Sequence, residues 1–185
     1  MIELLEWSAV STALLYVFLA ARGKRMCFLF GLLSSAAFVY ICAKDHLYFD
    51  TVINSYYVIM SVVGWYSWSN EGRNLKVRKL KSRTMVLLVT GGLALFLILG
   101  FMADQFSDAS LSYADSFTTV FAIIATWMMV ERFLQNWLIW IAADAISIYM
   151  YFLKDHPAIA GLFAVYTVMA IYGYFEWRKL SRIPQ

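Results

Sequence analysis

Five side chains between positions 137 and 151 lie on one face of a predicted helix. Trp137, Trp140, Asp144, Ser147 and Tyr151 follow one another at intervals of 3, 4, 3 and 4 residues, which places them on a single helical stripe. The surrounding segment is apolar, and an acid is costly to place in such a segment. An acid found there is therefore a candidate site residue. A carboxylate beside two indoles can compensate charge and make stacking and cation–π contacts. The stripe therefore predicts a site for an aromatic cation.

A purely structural interpretation of the same stripe stays open. In it, Asp144 is protonated or hydrogen-bonded to Ser147 and Tyr151, and the two tryptophans are core residues. However, no Lys or Arg is predicted at a similar depth in another helix, where it would neutralise Asp144. Because an unpaired carboxylate inside the membrane is costly, its presence favours the binding interpretation.

The elements that must position these side chains are membrane-spanning helices. Of the 185 residues, 62% are hydrophobic, far above the usual share in soluble domains. Seven apolar windows of about 18 to 22 residues can each cross about 30 Å of hydrocarbon at about 1.5 Å per residue. Their approximate ranges are 2–21, 26–43, 48–68, 84–103, 113–131, 136–153 and 157–177. The predicted fold is therefore an all-α integral membrane protein with seven transmembrane helices.

The chain contains an internal repeat. The pentapeptide GWYSW at 64–68 recurs as GYFEW at 173–177, and Lys-Asp-His at 44–46 recurs at 154–156. Seven helices then divide as three, one and three, and an odd connector makes the halves parallel repeats, as in many transporters. The predicted units are 1–68 (first three-helix repeat), 69–112 (basic cytoplasmic loop plus linker helix) and 113–185 (second repeat and tail).

Other predicted helices supply further candidate site residues. Asn54, Tyr57 and Ser61 share a face of the third helix, and the Asn54 amide can both donate and accept hydrogen bonds. A plain interhelical hydrogen bond is the alternative role for Asn54. Tyr166, the repeat mate of Tyr57, is expected to close the site from the other half. Asp115 either lines the entrance or stabilises the start of its own helix.

Basic residues are distributed unequally between the two sides of the predicted bundle. Loops one, three and five and the C-terminal tail hold 13 of the 15 Lys and Arg residues: Arg22, Lys24, Arg25, Arg73, Lys76, Arg78, Lys79, Lys81, Arg83, Arg132, Arg178, Lys179 and Arg182. The positive-inside rule then places the C-terminus in the cytoplasm and the N-terminus outside. The net charge of +3 follows from this bias, so nucleic acid is not an expected partner.

The motifs of enzymes, metal sites and ATP-driven pumps are missing from the sequence. It has no Gly-rich phosphate loop followed by Lys, no HExxH and no Cys/His cluster. Cys27 and Cys42 lie about 22 Å apart along one predicted helix and cannot form a disulfide. We therefore expect no enzyme activity, cofactor or metal. The competing class is a non-transporting membrane scaffold, in which the polar stripes would not converge.

Three motifs together resemble the PnuC family of bacterial vitamin transporters. They are GWYSW at 64–68, NWLIW at 136–140 and DAIS at 144–147, and the similarity covers essentially the whole chain. The resemblance implies a SWEET-like three-one-three arrangement and a homotrimer in the bacterial inner membrane. It also implies facilitated diffusion of nicotinamide riboside, which a cytosolic kinase then traps by phosphorylation.

Two positions depart from the pattern of the nicotinamide-riboside members that this chain resembles. Those members usually have Asn at the position of Asp144 and often Gln at the position of Asn54. Other members of the family carry thiamine, whose permanent positive charge suits Asp144. Nicotinamide riboside is also a cation, so the resemblance implies nicotinamide riboside first and thiamine as the alternative.

Overall fold

A computed structural model describes residues 2–44, 48–69, 76–106 and 111–182. The described part contains seven α-helices: α1 (Ile2–Ala21), α2 (Cys27–Lys44), α3 (Tyr48–Ser67), α4 (Ser82–Phe106), α5 (Ser112–Val130), α6 (Asn136–Leu153) and α7 (Pro157–Leu180). The predicted windows agree with these bounds to within a few residues. Asp45, His46 and Arg73, which were used in the repeat and charge patterns, lie outside the described residues.

Six of these helices, all except α3, are long and apolar enough to cross a membrane. The exception, α3, has 20 residues and therefore sufficient length. Its sequence is less apolar because Asp50, Asn54 and Ser61 interrupt it. Polar side chains are tolerated in a membrane helix when they face the bundle interior. The composition of α3 therefore suits a helix that lines an interior site. The seven helices together agree with the predicted class, an all-α membrane protein.

Six helices form a closed ring in which each packs against two neighbours. The successive contacts are α1 with α2, α2 with α3, α3 with α5, α5 with α6, α6 with α7, and α7 with α1. Exchanging α1, α2 and α3 with α5, α6 and α7 leaves this set of neighbours unchanged. The remaining helix, α4, packs on α5 and lies outside the ring.

One end of the ring is filled by an aromatic cluster made of Phe28, Trp68, Trp137 and Trp177, each no more than 2% exposed. Phe28 packs edge-on against Trp68, with ring centroids 4.8 Å apart, and Trp137 packs edge-on against Trp177 at 5.5 Å. Trp68 and Trp177 touch each other at 5.9 Å. Since Phe28 and Trp137 come from α2 and α6, the cluster repeats one arrangement in both halves.

The glycine that opens each repeated pentapeptide makes room for this cluster. A Cβ atom on Gly64 would lie 2.1 Å from the Phe28 ring, and one on Gly173 would lie 2.7 Å from the Trp137 ring. Real Cβ atoms do not approach so closely, so a side chain at either position would displace an aromatic ring. The repeated glycines therefore reflect close helix packing within each half.

The loop that joins the two halves is fastened to the second half. The Arg78 backbone N–H donates to the Arg132 carbonyl, and the Leu134 N–H donates to the Arg78 carbonyl, both at 2.9 Å. The Gln135 side chain exchanges two 3.0 Å hydrogen bonds with the backbone of Leu80. Arg78 also pairs with Glu131. These bonds hold the start of α4 beside the α5–α6 connection.

Candidate functional site

The predicted stripe of α6 faces the inside of the ring. Trp137, Ser147 and Asp144 are 1%, 4% and 5% exposed, and Trp140 and Tyr151 are half-buried. Within the part of the chain that the structure describes, the Asp144 carboxylate has no hydrogen-bond or ion-pair partner. A buried carboxylate normally requires such partners, so Asp144 is the leading candidate for ligand contact.

Tyrosines from other helices surround Asp144. The Asp144 carboxyl group lies within electrostatic range of the hydroxyls of Tyr57 on α3 and Tyr166 on α7. The Tyr57 hydroxyl lies within the same range of the Tyr16 hydroxyl on α1. Among the described residues none of these three hydroxyls has a hydrogen-bond partner. Four helices of the ring therefore bring one acid and three hydroxyls toward a shared interior region, and a ligand with a positive charge and hydrogen-bonding groups would complement them.

Tyr16 was not predicted as a site residue. A Cβ atom on Gly31 would lie 2.9 Å from the Tyr16 ring and 3.0 Å from the Ser61 hydroxyl. Gly31 therefore lets both side chains approach the backbone of α2. The other polar residues of α1 do not indicate a site-facing side of this helix. The hydroxyls of Ser8, Ser11 and Thr12 bond to carbonyls of their own helix. Tyr16 is thus visible only in the folded bundle.

A row of aromatic rings connects Asp144 to the opposite end of the ring from the aromatic cluster. Tyr151 stacks on Phe163 with centroids 5.4 Å apart, and Phe163 contacts Tyr166 edge-on at 6.0 Å. Beyond Tyr151, the Lys154 ammonium lies 3.3 Å from the Asp115 carboxylate. The predicted entrance residue Asp115 therefore lies at a charged rim, and its pairing with Lys154 was not anticipated.

Asp50 belongs to the same charged rim. Its carboxylate interacts electrostatically with both Asp115 and Lys154. The rim therefore carries two acids and one base, drawn from the ends of α3, α5 and α6 opposite the aromatic cluster. It has a net negative charge near the aromatic row, which would attract a cation toward the site. Asp50 was not predicted as a site residue.

The remaining predicted residues have different surroundings. Asn54 donates a 2.8 Å hydrogen bond to the Asp50 carbonyl of its own helix, so this donor does not form the interhelical bond that was the alternative role for Asn54. Trp140 is half-buried and packs against two groups of buried residues, one that includes Trp137 and one that includes Phe121. Trp137 lies in the aromatic cluster, and its indole N–H is buried without a partner among the described residues.

A ring of membrane helices that surrounds a buried acid is compatible with a membrane transporter. The sequence model of the nicotinamide mononucleotide transporter family matches residues 3–179, and the chain belongs to this family. Its members are multi-pass membrane transporters. The prediction that the chain is a transporter related to PnuC is therefore confirmed at the level of the family.

Curated relatives and a solved structure give the same result. The nicotinamide riboside transporter PnuC of Haemophilus influenzae is 26% identical over 181 residues, covering 92% of this chain and 77% of the relative. That of Escherichia coli K12 is 25% identical over 209 residues, covering 96% and 87%. A crystal structure of the vitamin B3 transporter PnuC superposes with a TM-score of 0.78 at 25% identity, covering 96% of this chain and 82% of that one.

Proposed function

We propose that this chain carries nicotinamide riboside across the bacterial inner membrane by facilitated diffusion. The observation that carries the proposal is Asp144, a buried and unpaired acid inside the ring. The pyridinium ring of nicotinamide riboside supplies the missing positive charge and a flat surface for stacking. The hydroxyls of Tyr16, Tyr57 and Tyr166 suit the polar groups of the ribose and carboxamide. The names of the relatives support the same ligand.

The proposed transport cycle uses two three-helix halves. The ring contacts support a SWEET-like three-one-three arrangement. When the first three helices of the ring are exchanged with the last three, every helix keeps equivalent neighbours. In such folds a ligand site lies between the halves, and rocking of one half against the other exposes it to either side. Residues from both halves, Tyr16 and Tyr57 on one side and Asp144 and Tyr166 on the other, surround the site.

In the proposed orientation the N-terminus is outside and the C-terminus is cytoplasmic. Helices α1, α3, α5 and α7 all end on the side that holds most of the Lys and Arg residues, which the positive-inside rule assigns to the cytoplasm. The aromatic cluster then closes the site toward the cytoplasm, and the rim of Asp50, Asp115 and Lys154 faces outward. A homotrimer is part of the proposal because the resemblance to the PnuC family implies it.

Facilitated diffusion is proposed because the sequence has no phosphate-binding loop for ATP. Phosphorylation of the vitamin by a cytosolic kinase would then keep net flux directed inward. Thiamine is the second candidate ligand. The observation that favours it is Asp144 itself, an acid at a position where nicotinamide-riboside members usually have Asn.

The test is uptake by the purified protein in proteoliposomes. Labelled nicotinamide riboside should equilibrate across the membrane, exchange with unlabelled ligand and not accumulate, with or without a proton or sodium gradient. Uptake of thiamine but not nicotinamide riboside would select the second candidate. Failure to transport either would favour a non-transporting scaffold, and accumulation driven by an ion gradient would overturn facilitated diffusion.

A further inference from the structure

A groove between α4 and α5 faces away from the ring interior. Its lining is apolar and includes Leu87, Gly91 and Leu95 on α4 and Val120, Ile123 and Ile124 on α5. The groove has a volume of about 260 Å³. Since α4 packs against α5 alone among the described helices, the groove opens toward the surrounding bilayer.

Gly91 leaves the groove open without a packing reason. A Cβ atom on Gly91 would meet no other atom within 4 Å, whereas one on the adjacent Gly92 would lie 2.9 Å from Ile124. Gly92 is therefore explained by close packing of α4 on α5. Gly91 is part of the groove lining, and because it has no side chain it leaves open space along the groove.

Basic residues stand at one end of the groove. Arg83, Leu87, Gly91 and Leu95 are each four positions apart, which places Arg83 on the same stripe of α4. Arg83 and Lys81 are exposed, and within the described part of the chain neither forms an ion pair. Glu131, the acid that follows α5, is bonded to Arg78. This end of the groove therefore presents free positive charge.

The dimensions of the groove match one leaflet of a bilayer. From Arg83 to Leu95 is about 18 Å along the helix at about 1.5 Å per residue, and half of a hydrocarbon core is about 15 Å. Trp127, which is 40% exposed, follows Ile123 by one turn on α5. Tryptophan is enriched at the level of lipid headgroups. Arg83, Lys81 and Trp127 thus stand where a headgroup would lie.

We propose that this groove binds one anionic phospholipid, with an acyl chain along Gly91 and the phosphate at Arg83 and Lys81. A second copy of the chain is the competing occupant. It would bury the apolar lining equally well, but it would not require free basic residues at one end only. The combination of a one-leaflet apolar groove with unpaired basic side chains at its headgroup end selects the lipid.

The test uses native mass spectrometry of the purified full chain with added phosphatidylglycerol or phosphatidylcholine. Gly91→Phe fills the groove, and Gly161→Phe is its matched control, because a Cβ atom on Gly161 of α7 also meets nothing within 4 Å. We expect retention of phosphatidylglycerol to fall about tenfold in Gly91→Phe, since apolar burial is lost, and to stay at the parent level in Gly161→Phe. Gel filtration checks that both variants fold.

A second pair of variants tests the charge independently of the groove. Arg83→Gln with Lys81→Gln should abolish the preference for phosphatidylglycerol over phosphatidylcholine. The control, Arg178→Gln with Arg182→Gln, removes two exposed charges on α7 and the following turn and should keep that preference. Equal retention of both lipids by the parent would overturn the proposal, as would unchanged lipid retention in Gly91→Phe. A loss of oligomer mass in Gly91→Phe without a change in bound lipid would identify a second copy as the occupant.

Discussion

Trp68 and Trp177 each donate a hydrogen bond to the helix that begins the other half of the molecule. The Trp68 indole N–H bonds to the Val130 carbonyl at the end of α5 at 3.0 Å, and the Trp177 indole N–H bonds to the Ala20 carbonyl at the end of α1 at 2.9 Å. The last carbonyls of a helix have no partner within it. The repeated tryptophans therefore form two reciprocal cross-links between the halves, at the end of the ring that the aromatic cluster closes.

Loss of either cross-link should lower stability more than loss of an exposed indole. Trp177→Phe removes this donor while the Ala20 carbonyl keeps its bond from the Gly23 N–H at 2.9 Å, and loss of one such hydrogen bond costs about 0.5–1.5 kcal/mol. We expect a clear fall in the melting temperature of the purified protein. Trp7→Phe is the control, because Trp7 is 72% exposed. Equal melting temperatures for the two variants would contradict a role for the Trp177 hydrogen bond.

Alanine should have opposite effects at two glycines of α7. Gly173→Ala places a Cβ atom 2.7 Å from the Trp137 ring, and such overpacking costs about 1–3 kcal/mol. Gly161→Ala meets nothing within 4 Å and should stabilise the helix by about 0.5–1 kcal/mol. Thermal unfolding of both variants measures the difference. A Gly173→Ala protein as stable as the parent would show that the aromatic cluster can shift at little cost.

Removal of the interior charge should weaken binding of a cation selectively. Asp144→Asn keeps the shape of the side chain but loses a charge-assisted contact, and we expect about tenfold to hundredfold weaker binding of nicotinamide riboside. A neutral analogue of the same shape should be affected far less. Calorimetric titration of both ligands makes the comparison. Asp155→Asn, at an exposed position after α6, is the control, and a uniform loss for both ligands would exclude the electrostatic role.

The two tryptophans of the α6 stripe should respond differently to truncation. Trp140→Ala should weaken binding about tenfold, since stacking and cation–π contacts are worth about 1–2 kcal/mol in a desolvated site. Trp137→Ala should weaken binding less and lower the melting temperature more, because Trp137 is packed in the aromatic cluster. Binding and unfolding are measured on both variants. Normal binding by Trp140→Ala would place the ligand elsewhere.

Local patterns in the sequence were sufficient to predict where the helices lie and which face of α6 points inward. Hydrophobic windows predict spans because crossing a bilayer depends only on length and composition of the segment itself. The spacing of Trp137, Asp144 and Ser147 predicts a shared face because the period of a helix is constant. The burial of these three residues follows that face. Such features need no knowledge of neighbouring helices.

Contacts between helices were decided only by the tertiary structure. The approach of Tyr16 to Gly31, the pairing of Asp115 with Lys154 and the place of Trp137 against Gly173 join residues from different helices. Each contact depends on the order of helices around the ring and on the rotation of each helix about its axis. Side-chain packing of the whole bundle sets both quantities. The sequence of this protein thus determined which faces are polar, and the assembled ring determined which of those faces meet.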